Sequence, residues 1–338
     1  LTERRPSVSV IIVNWNGERF IRDCFLSLKA QSFRDFEVVF VDNASSDGSL
    51  PTAKKVSSAI GLSVKFVGLP VNTGFTGGNI EGLKHSSGEY IALLNNDTVA
   101  SEGWLGALVG AMEAHPEVGI CASKLIVAGT DIIDSAGDVF TTALKACKRG
   151  EGLPSSHHTA QELVFGACAG AALYRRSMLD EIGFFDDDFF LIFEDADLNF
   201  RAQLSGWKCL FVPDALVQHR VGASIKRLGE AATTHALRNS RIVILKDIPA
   251  SVILAHLPCF VADEIVVMLY HIRIGRFRSY LRGNYEFLKS LSYYMKKRSR
   301  VMRTKKVTSR YINSLLTSAA GMYYRKYSSR ARTLIAGR

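Results

Sequence analysis

Proline and paired cysteine are scarce in this chain. Eight prolines in 338 residues, beside 27 glycines with no repeating period, exclude collagen-like and proline-rich classes. The six cysteines (Cys24, Cys121, Cys147, Cys168, Cys209 and Cys259) form no CxxC pair and no metal-ligand spacing. Reduced thiols among apolar neighbours are expected, which favours a cytoplasmic address. P-loop, zincin HExxH and hydrolase GxSxG motifs are all missing. The cluster Gly74-Phe75-Thr76-Gly77-Gly78-Asn79 is not GxGxxG and follows the third strand-like run, not the first, so the dinucleotide fingerprint fails. Long apolar runs are also lacking. The longest uncharged stretch, Ile248 to Ala262, contains two prolines and a histidine and stops at Asp263 and Glu264. A spanning helix needs ~20 apolar residues, so no transmembrane segment is expected. The polar start, Leu1 to Ser7, has neither the length nor the order of a signal peptide.

What is present is a globular composition, 47% hydrophobic, with a net charge of +10 that is unevenly spread. Residues 1 to 269 hold 24 Lys or Arg against 31 Asp or Glu, whereas residues 270 to 338 hold 18 against 1. An acidic body thus carries a basic tail, which could meet anionic lipid, nucleic acid or an acidic partner.

The β-branched run Val8 to Val13 reads as a strand buried on both faces. Ile21, Cys24, Phe25 and Leu28 then recur at helical spacing, predicting a helix over 18–31. Strands at Glu37–Val41, Val64–Val67 and Tyr90–Leu94 alternate with helices near 50–60 and up to 86, with a glycine-rich loop at Asn72–Gly78. This is the βαβ pattern of an open α/β sheet, whose ligands sit beyond the carboxyl ends of the strands. Those ends are Asn14 to Asn16, Asp42-Asn43, Asn72 to Asn79 and Asn95-Asn96-Asp97. From about 120 to 230 short strands, the last at Cys209–Val212, mix with a polar loop at 148–160 and a helix over Asp195–Leu204. Beyond 230, basic helices dominate. The soft boundaries give units of 1–120, 121–230 and 231–338.

Three constellations could carry chemistry. Asp97, after a buried strand, could hold a hard divalent cation with the help of substrate phosphates, or simply make a turn. Glu194, Asp195 and Asp197 crowd three carboxylates behind the rings of Phe184, Phe185, Phe189 and Phe190. Such crowding raises at least one pKa toward that of a useful base, with Arg201 as a charge partner; the alternative is an acid-rich first helical turn. His219 could ligate metal or donate to phosphate, with Lys226 and Arg227 adding charge, although a lone histidine is more often structural.

Together, VSVIIVNWNG (8–17), EVVFVDNASSDGS (37–49), NTGFTGGNIEG (72–82), LLNNDT (93–98), GFFDDDFF (183–190), FEDADLNFR (193–201) and HRVGAS (219–224) resemble the inverting nucleotide-sugar glycosyltransferases of family 2. The resemblance implies a GT-A fold, a Rossmann-like mixed α/β sheet flanked by helices, here followed by the basic helical region. It implies that Asp42 contacts the nucleotide base beside Val13, Asn14 and Asn16, with Asn72, Gly74, Gly78, Asn79, Asn95, Asn96 and Lys226 on the donor. Asp97 and His219 would serve a divalent metal, Mg²⁺ or Mn²⁺. Asp195 would be the catalytic base, with Glu194 positioning a sugar. Asn95 departs from the aspartate of the DxD motif, which lowers the local negative charge. The QxxRW motif of processive members is absent: the corresponding helix reads RAQLSGW (201–207). Transfer of one or a few sugars is therefore expected. The motif combination looks most like rhamnosyltransferase-like members, implying dTDP-L-rhamnose as donor and a cell-surface or lipid-linked glycan as acceptor; a UDP-hexose donor and a catalytically silent scaffold are the alternatives.

Tyr285, Leu288, Leu291, Tyr294 and Met295 form a stripe beside Lys289, Lys296, Lys297, Arg298, Arg300 and Arg303. That composition predicts a peripheral contact with the inner face of an anionic membrane. The alternatives are a helix packed on the body and a homo-oligomer contact. Nucleic-acid binding is not expected, since no recognised module accompanies the charge.

Overall fold

The computed structural model describes residues 6–221 and 229–321; Lys226 and Arg227 lie outside the described residues. The VSVIIV run becomes β1 (Val8–Asn14), buried almost throughout and paired in parallel with β2 (Phe36–Asp42) on one side and β4 (Tyr90–Leu94) on the other. β3 (Val64–Gly68) extends β2 in parallel. Across β4 the direction reverses at β11 (Ala171–Arg175), which pairs antiparallel with both β4 and β6 (Val118–Val127). Next come β12 (Lys208–His219), parallel to β6, and β10 (Glu162–Val164). β5 (Thr98–Ala100) and β7 (Ile133–Ser135) pair with β12 and β6, giving one ten-stranded mixed sheet.

Helices cover both faces: α1 (Glu18–Lys29), α2 (Ser49–Ile60), α3 (Gly74–Lys84), α4 (Trp104–Ala114), α5 (Arg176–Ile182) and α6 (Glu194–Leu204). One face packs Phe25, Phe40, Trp104 and Leu108; the other packs Ile91, Leu93, Tyr174 and Phe211. A small sheet of β8 (Asp138–Thr141), β9 (Ala146–Lys148) and β13 (Leu316–Thr317) lies at the carboxyl side. The chain closes with α7 (Glu230–Asp247), α8 (Ala250–Arg273), α9 (Phe277–Lys289), α10 (Leu291–Arg303) and α11 (Ser309–Ser314).

Four expectations change. The glycine-rich loop is mostly the start of α3: a Cβ on Gly78 would lie 2.6 Å from Val13 Cγ1 and one on Gly82 2.4 Å from Ile11 Cγ2, so these glycines let the helix press onto β1. Pro213 and Asp214 form a bulge within β12, where the register shifts, instead of ending the strand, so His219 closes a twelve-residue strand. Cys259 is exposed, unlike the buried Cys24, Cys121 and Cys209.

The fourth change concerns α8, a 24-residue helix with mean hydropathy 2.0 over its most apolar window, long and apolar enough to cross a membrane. Pro249 caps it, Pro258 is tolerated inside it, and its two acids turn inward: Asp263 meets Lys145 at 3.1 Å, and Glu264 pairs with Arg241 of α7. Leu254, Leu257, Val261, Ile265, Leu269 and Ile272 are left exposed on the other side.

Candidate active site

The carboxyl ends of β1, β2 and β4 converge. Asn14, at the end of β1, donates to Asp42 Oδ1 (3.2 Å) and Ser45 Oγ (3.1 Å), and accepts from Asn96 Nδ2 at 2.5 Å. One buried amide thus ties the Asp42 carboxylate to the Asn95-Asn96-Asp97 segment. Asn16 takes a positive φ of 52° and accepts from the Ser46 amide at 2.7 Å, shaping the adjoining turn. Asn43, not assigned a role from sequence, accepts from the Thr73 amide (2.9 Å) and donates to Asn72 Oδ1 (3.1 Å) and the Gly74 carbonyl (2.8 Å). Its place beside Asp42 was the available signal. Gly74 (φ +75°) lies where a Cβ would meet the Phe190 carbonyl at 2.2 Å. Asn79 is buried and donates to the Phe75 carbonyl, so the fold spends that amide within α3, as it spends Gly78 on packing.

Asp97 and His219 come together, although far apart in sequence, because β5 pairs with the end of β12. Asp97 Oδ1 stands 3.4 Å from His219 Nε2, and His219 Nδ1 meets Asp134 Oδ2 at 2.9 Å. Lys148 closes the chain on Asp134 Oδ1 at 2.6 Å. Burial opposes charge on His219, but hydrogen bonds to Asp134 and Asp97 outweigh it and push its pKa up to about 9. Asp134 and Lys148 lie on short strands inside an irregular stretch and left no motif to find.

Asp195 sits in the first turn of α6, after Phe193 in the left-handed region (φ 75°). Its Oδ1 accepts from its neighbour Ala196 N at 2.8 Å and its Oδ2 from Ala169 N at 3.4 Å. The loop that holds it also holds the Asn95-Asn96-Asp97 segment, since Asn95 N donates to the Gly170 carbonyl at 2.8 Å. Burial raises the Asp195 carboxyl above its ordinary range, against those amides and the charge of Lys148. Glu194 is buried with one oxygen unpartnered, and burial followed by the charge of Asp195 pushes it well up. Asp138 on β8 is likewise raised, by burial and then by Asp195.

The third carboxylate separates from the other two. Asp197 is fully buried, paired with Arg201 at 2.8 Å and with Lys246, and these cations hold it far below the carboxylate range despite burial. Arg201 therefore serves Asp197, and also donates to the carbonyls of Ile182, Gly183 and Phe184, instead of Asp195. The acidic run Asp186 to Asp188 is similarly structural: Lys246 and Lys297 reach Asp186, and Lys297 also reaches Asp188.

A family model described as Glycosyl transferase family 2 matches residues 9–183, more than half of the chain. The poly-beta-1,6-N-acetyl-D-glucosamine synthase of Staphylococcus epidermidis is 22% identical over 242 residues, 71% of this chain and 56% of that protein. An uncharacterized glycosyltransferase of Nostoc sp. is 26% identical over 229 residues, covering 67% and 68% of the two chains. The chain spans about half the length of the first curated relatives it matches. Among solved structures, a mannosyltransferase of Pyrobaculum calidifontis, in complex with GDP-Man and Mn²⁺, superposes with a TM-score of 0.55 at 17% identity over 89% of this chain and 86% of that one. S. aureus TarS gives 0.53 at 19% identity over 75% and 43%. These likenesses agree with the GT-A arrangement of the sheet, and with the family match they make this chain a member of glycosyl transferase family 2.

Proposed function

We propose that the chain transfers a sugar from a nucleoside diphosphate donor with inversion, using Asp195 as general base. The observation that carries this reading is the Cys168–Gly170 loop. Its Gly170 carbonyl accepts from Asn95 beside the Asp97–His219 pair, while its Ala169 amide holds Asp195. The acceptor hydroxyl gives its proton to Asp195 as its oxygen bonds to the anomeric carbon. The bond from that carbon to the phosphate oxygen breaks on the opposite face, and the nucleoside diphosphate leaves with the electron pair. A carboxyl whose pKa is raised by burial is a stronger base for this step than an exposed aspartate.

Asp42 and Asn14 face the donor base, and Asn96 links them to the diphosphate end. The donor set at Asp97 and His219, one carboxylate and one imidazole, fits Mg²⁺ or Mn²⁺ when donor phosphates complete the shell. A bound cation would offset charge on the leaving diphosphate. Residues 1–120 then act as the nucleotide-sugar half, and 121–230 supply the base and the acceptor side.

For the donor, the NNDT, EDADL and HRVGAS segments favour dTDP-L-rhamnose. The second reading, a UDP-N-acetylhexosamine, is favoured by the poly-N-acetylglucosamine synthase relative. The acceptor is a glycan on a lipid carrier or at the cell surface, reached at the inner membrane face. Membrane contact is supported by the exposed apolar side of α8. The acids near its middle are ion-paired, Asp263 to Lys145 of the body and Glu264 to Arg241 of α7, which favours a helix that lies on the membrane surface by its free face over one that crosses the bilayer. The test is nucleotide release across dTDP-, UDP- and GDP-sugars with Mg²⁺ or Mn²⁺. Metal-dependent release from one donor, lost in Asp97→Ala, supports the reading and names the sugar. Binding of nucleotide without turnover, even with membrane extract as acceptor, sinks it in favour of a silent binding protein.

A further inference from the structure

A cavity of about 450 Å³ lies between α7, α8 and the tip of the β8–β9 hairpin, and none of the chemistry above uses it. Leu144, Leu237, Ile244, Phe260 and Val267 make it apolar, and Phe193 lines it two residues before Asp195. Its volume falls within the range of ordinary ligand pockets. Val266 and Tyr270, which edge it, are more than half exposed and continue into the bare apolar side of α8. The recess is thus an inlet from the surface we place against lipid.

The hairpin ties this inlet to the base. At its open end Lys148 lends positive charge to Asp195 and Asp138 feels the Asp195 charge, whereas Ala143, Leu144 and Lys145, at its tip, line the cavity. Three to four residues of strand separate the two, roughly 10–13 Å at the rise of an extended chain. Of the charged lining groups, Lys145 pairs with Asp263 and Arg241 with Glu264, which leaves Arg276 as the excess cation. Arg276 is exposed and donates to Thr233 Oγ1 at 3.2 Å at the α8–α9 corner, with Arg273 and Arg278 exposed beside it.

We infer that this cavity binds the hydrocarbon segment next to the head of a lipid phosphate. It would draw the tail in from the membrane plane and leave the phosphate among the basic groups, within reach of Asp195 for a glycan carried on it. The acceptor role rests on the transfer reached above; the binding site does not.

The test is photolabelling of the full chain by farnesyl phosphate carrying a diazirine at the tail end, in detergent-free buffer below its aggregation concentration, with the farnesol analogue as control. Label on residues 233–244 and 260–274 is expected, falling at least fivefold in Ala236→Trp and in Val267→Trp and unchanged in Leu254→Gln on the outer face. A second filling variant keeps the test decisive should one fail to fold. Labelling that both filling variants leave intact, label centred on Leu254 to Leu257, or equal labelling by the alcohol would each overturn the assignment. Donor turnover, read separately by nucleotide release into water, divides the two claims: labelling without turnover sinks the transferase, and turnover without labelling sinks the lipid site.

Discussion

The body, residues 6–221, and the helical region, residues 229–321, treat apolar side chains in opposite ways. Six large hydrophobics are exposed in the first and sixteen in the second, which is less than half its length. In the body, β-branched strands bury both faces and leave polar groups at the carboxyl ends, where a ligand can use them. In the helical region the order inverts: Asp263 and Lys297 turn inward to pair with the body, Glu264 and Arg298 bond groups on α7 and at its C-terminal end, and leucines and tyrosines turn out. A patch of that extent on a soluble surface marks an interaction face. The proposed chemistry and the proposed membrane contact therefore fall on separate regions, and mutations can be chosen to strike one without the other.

The largest effect falls in the body. Asp195→Asn keeps the size and hydrogen-bonding of the side chain but removes the proton acceptor, so transfer should fall by about 10²–10⁴. Nucleotide affinity, measured by calorimetry, should hold. Less than a tenfold loss in transfer would show that another group takes the proton. Next comes the apolar side of α8. Changing Leu254, Ile265 and Leu269 together to Gln removes three side chains that would each contribute about 1.5–3 kcal/mol on full burial in lipid. Binding to anionic liposomes should drop more than a hundredfold in a flotation assay, while nucleotide release in solution persists. Unchanged flotation would dispose of α8 as the contact. A smaller loss is expected from Lys289→Gln with Lys296→Gln, since each basic residue near an anionic surface contributes about 1 kcal/mol. That loss should vanish at high salt, unlike the α8 effect. If the lysine pair matters more than the three apolar residues, the contact is the electrostatic one that the sequence alone suggested.

The same contrast explains what could be seen in the sequence. The four parallel strands were legible because Val8–Val13 and its successors carry their burial in composition; Asp42, Asp97 and His219 stood out as candidates because they end or follow such runs, and Asp195 because it sits in an acid-rich first helical turn. Asp134, Asp138 and Lys148 were not. They sit on strands of three or four residues whose pairing is long-range, so nothing local marks them. The length of α8 was hidden for a different reason. Proline and acid inside an apolar run normally end it, but Pro258 is accommodated within the helix and the acids find cations on α7 and the β8–β9 turn. The basic stripe was half right. Tyr294 is buried and bonds Arg238, and Ser290 breaks the helix between α9 and α10, but Tyr285, Leu288 and Met295 are exposed beside free-facing Lys289 and Lys296.

The smallest effect lies where the illegible residues meet the legible base. Lys148 is one of the groups that hold the Asp195 pKa down against burial. Asp195 accepts a proton only when ionised, so activity falls as pH drops through its pKa. Lys148→Met removes a stabilising charge from the ionised form, raising that pKa further, so the acid limb of kcat/KM should move to higher pH. Near neutrality the loss should be a few-fold, and at alkaline pH it should disappear. The same substitution frees Asp134 from its 2.6 Å pair, and with it the support of His219. A loss that is uniform across pH, relieved by added Mn²⁺, would mean that Lys148 acts through the metal side instead. The shape of the profile therefore assigns the lysine to the base or to the metal ligand, which the strand β9 places it between.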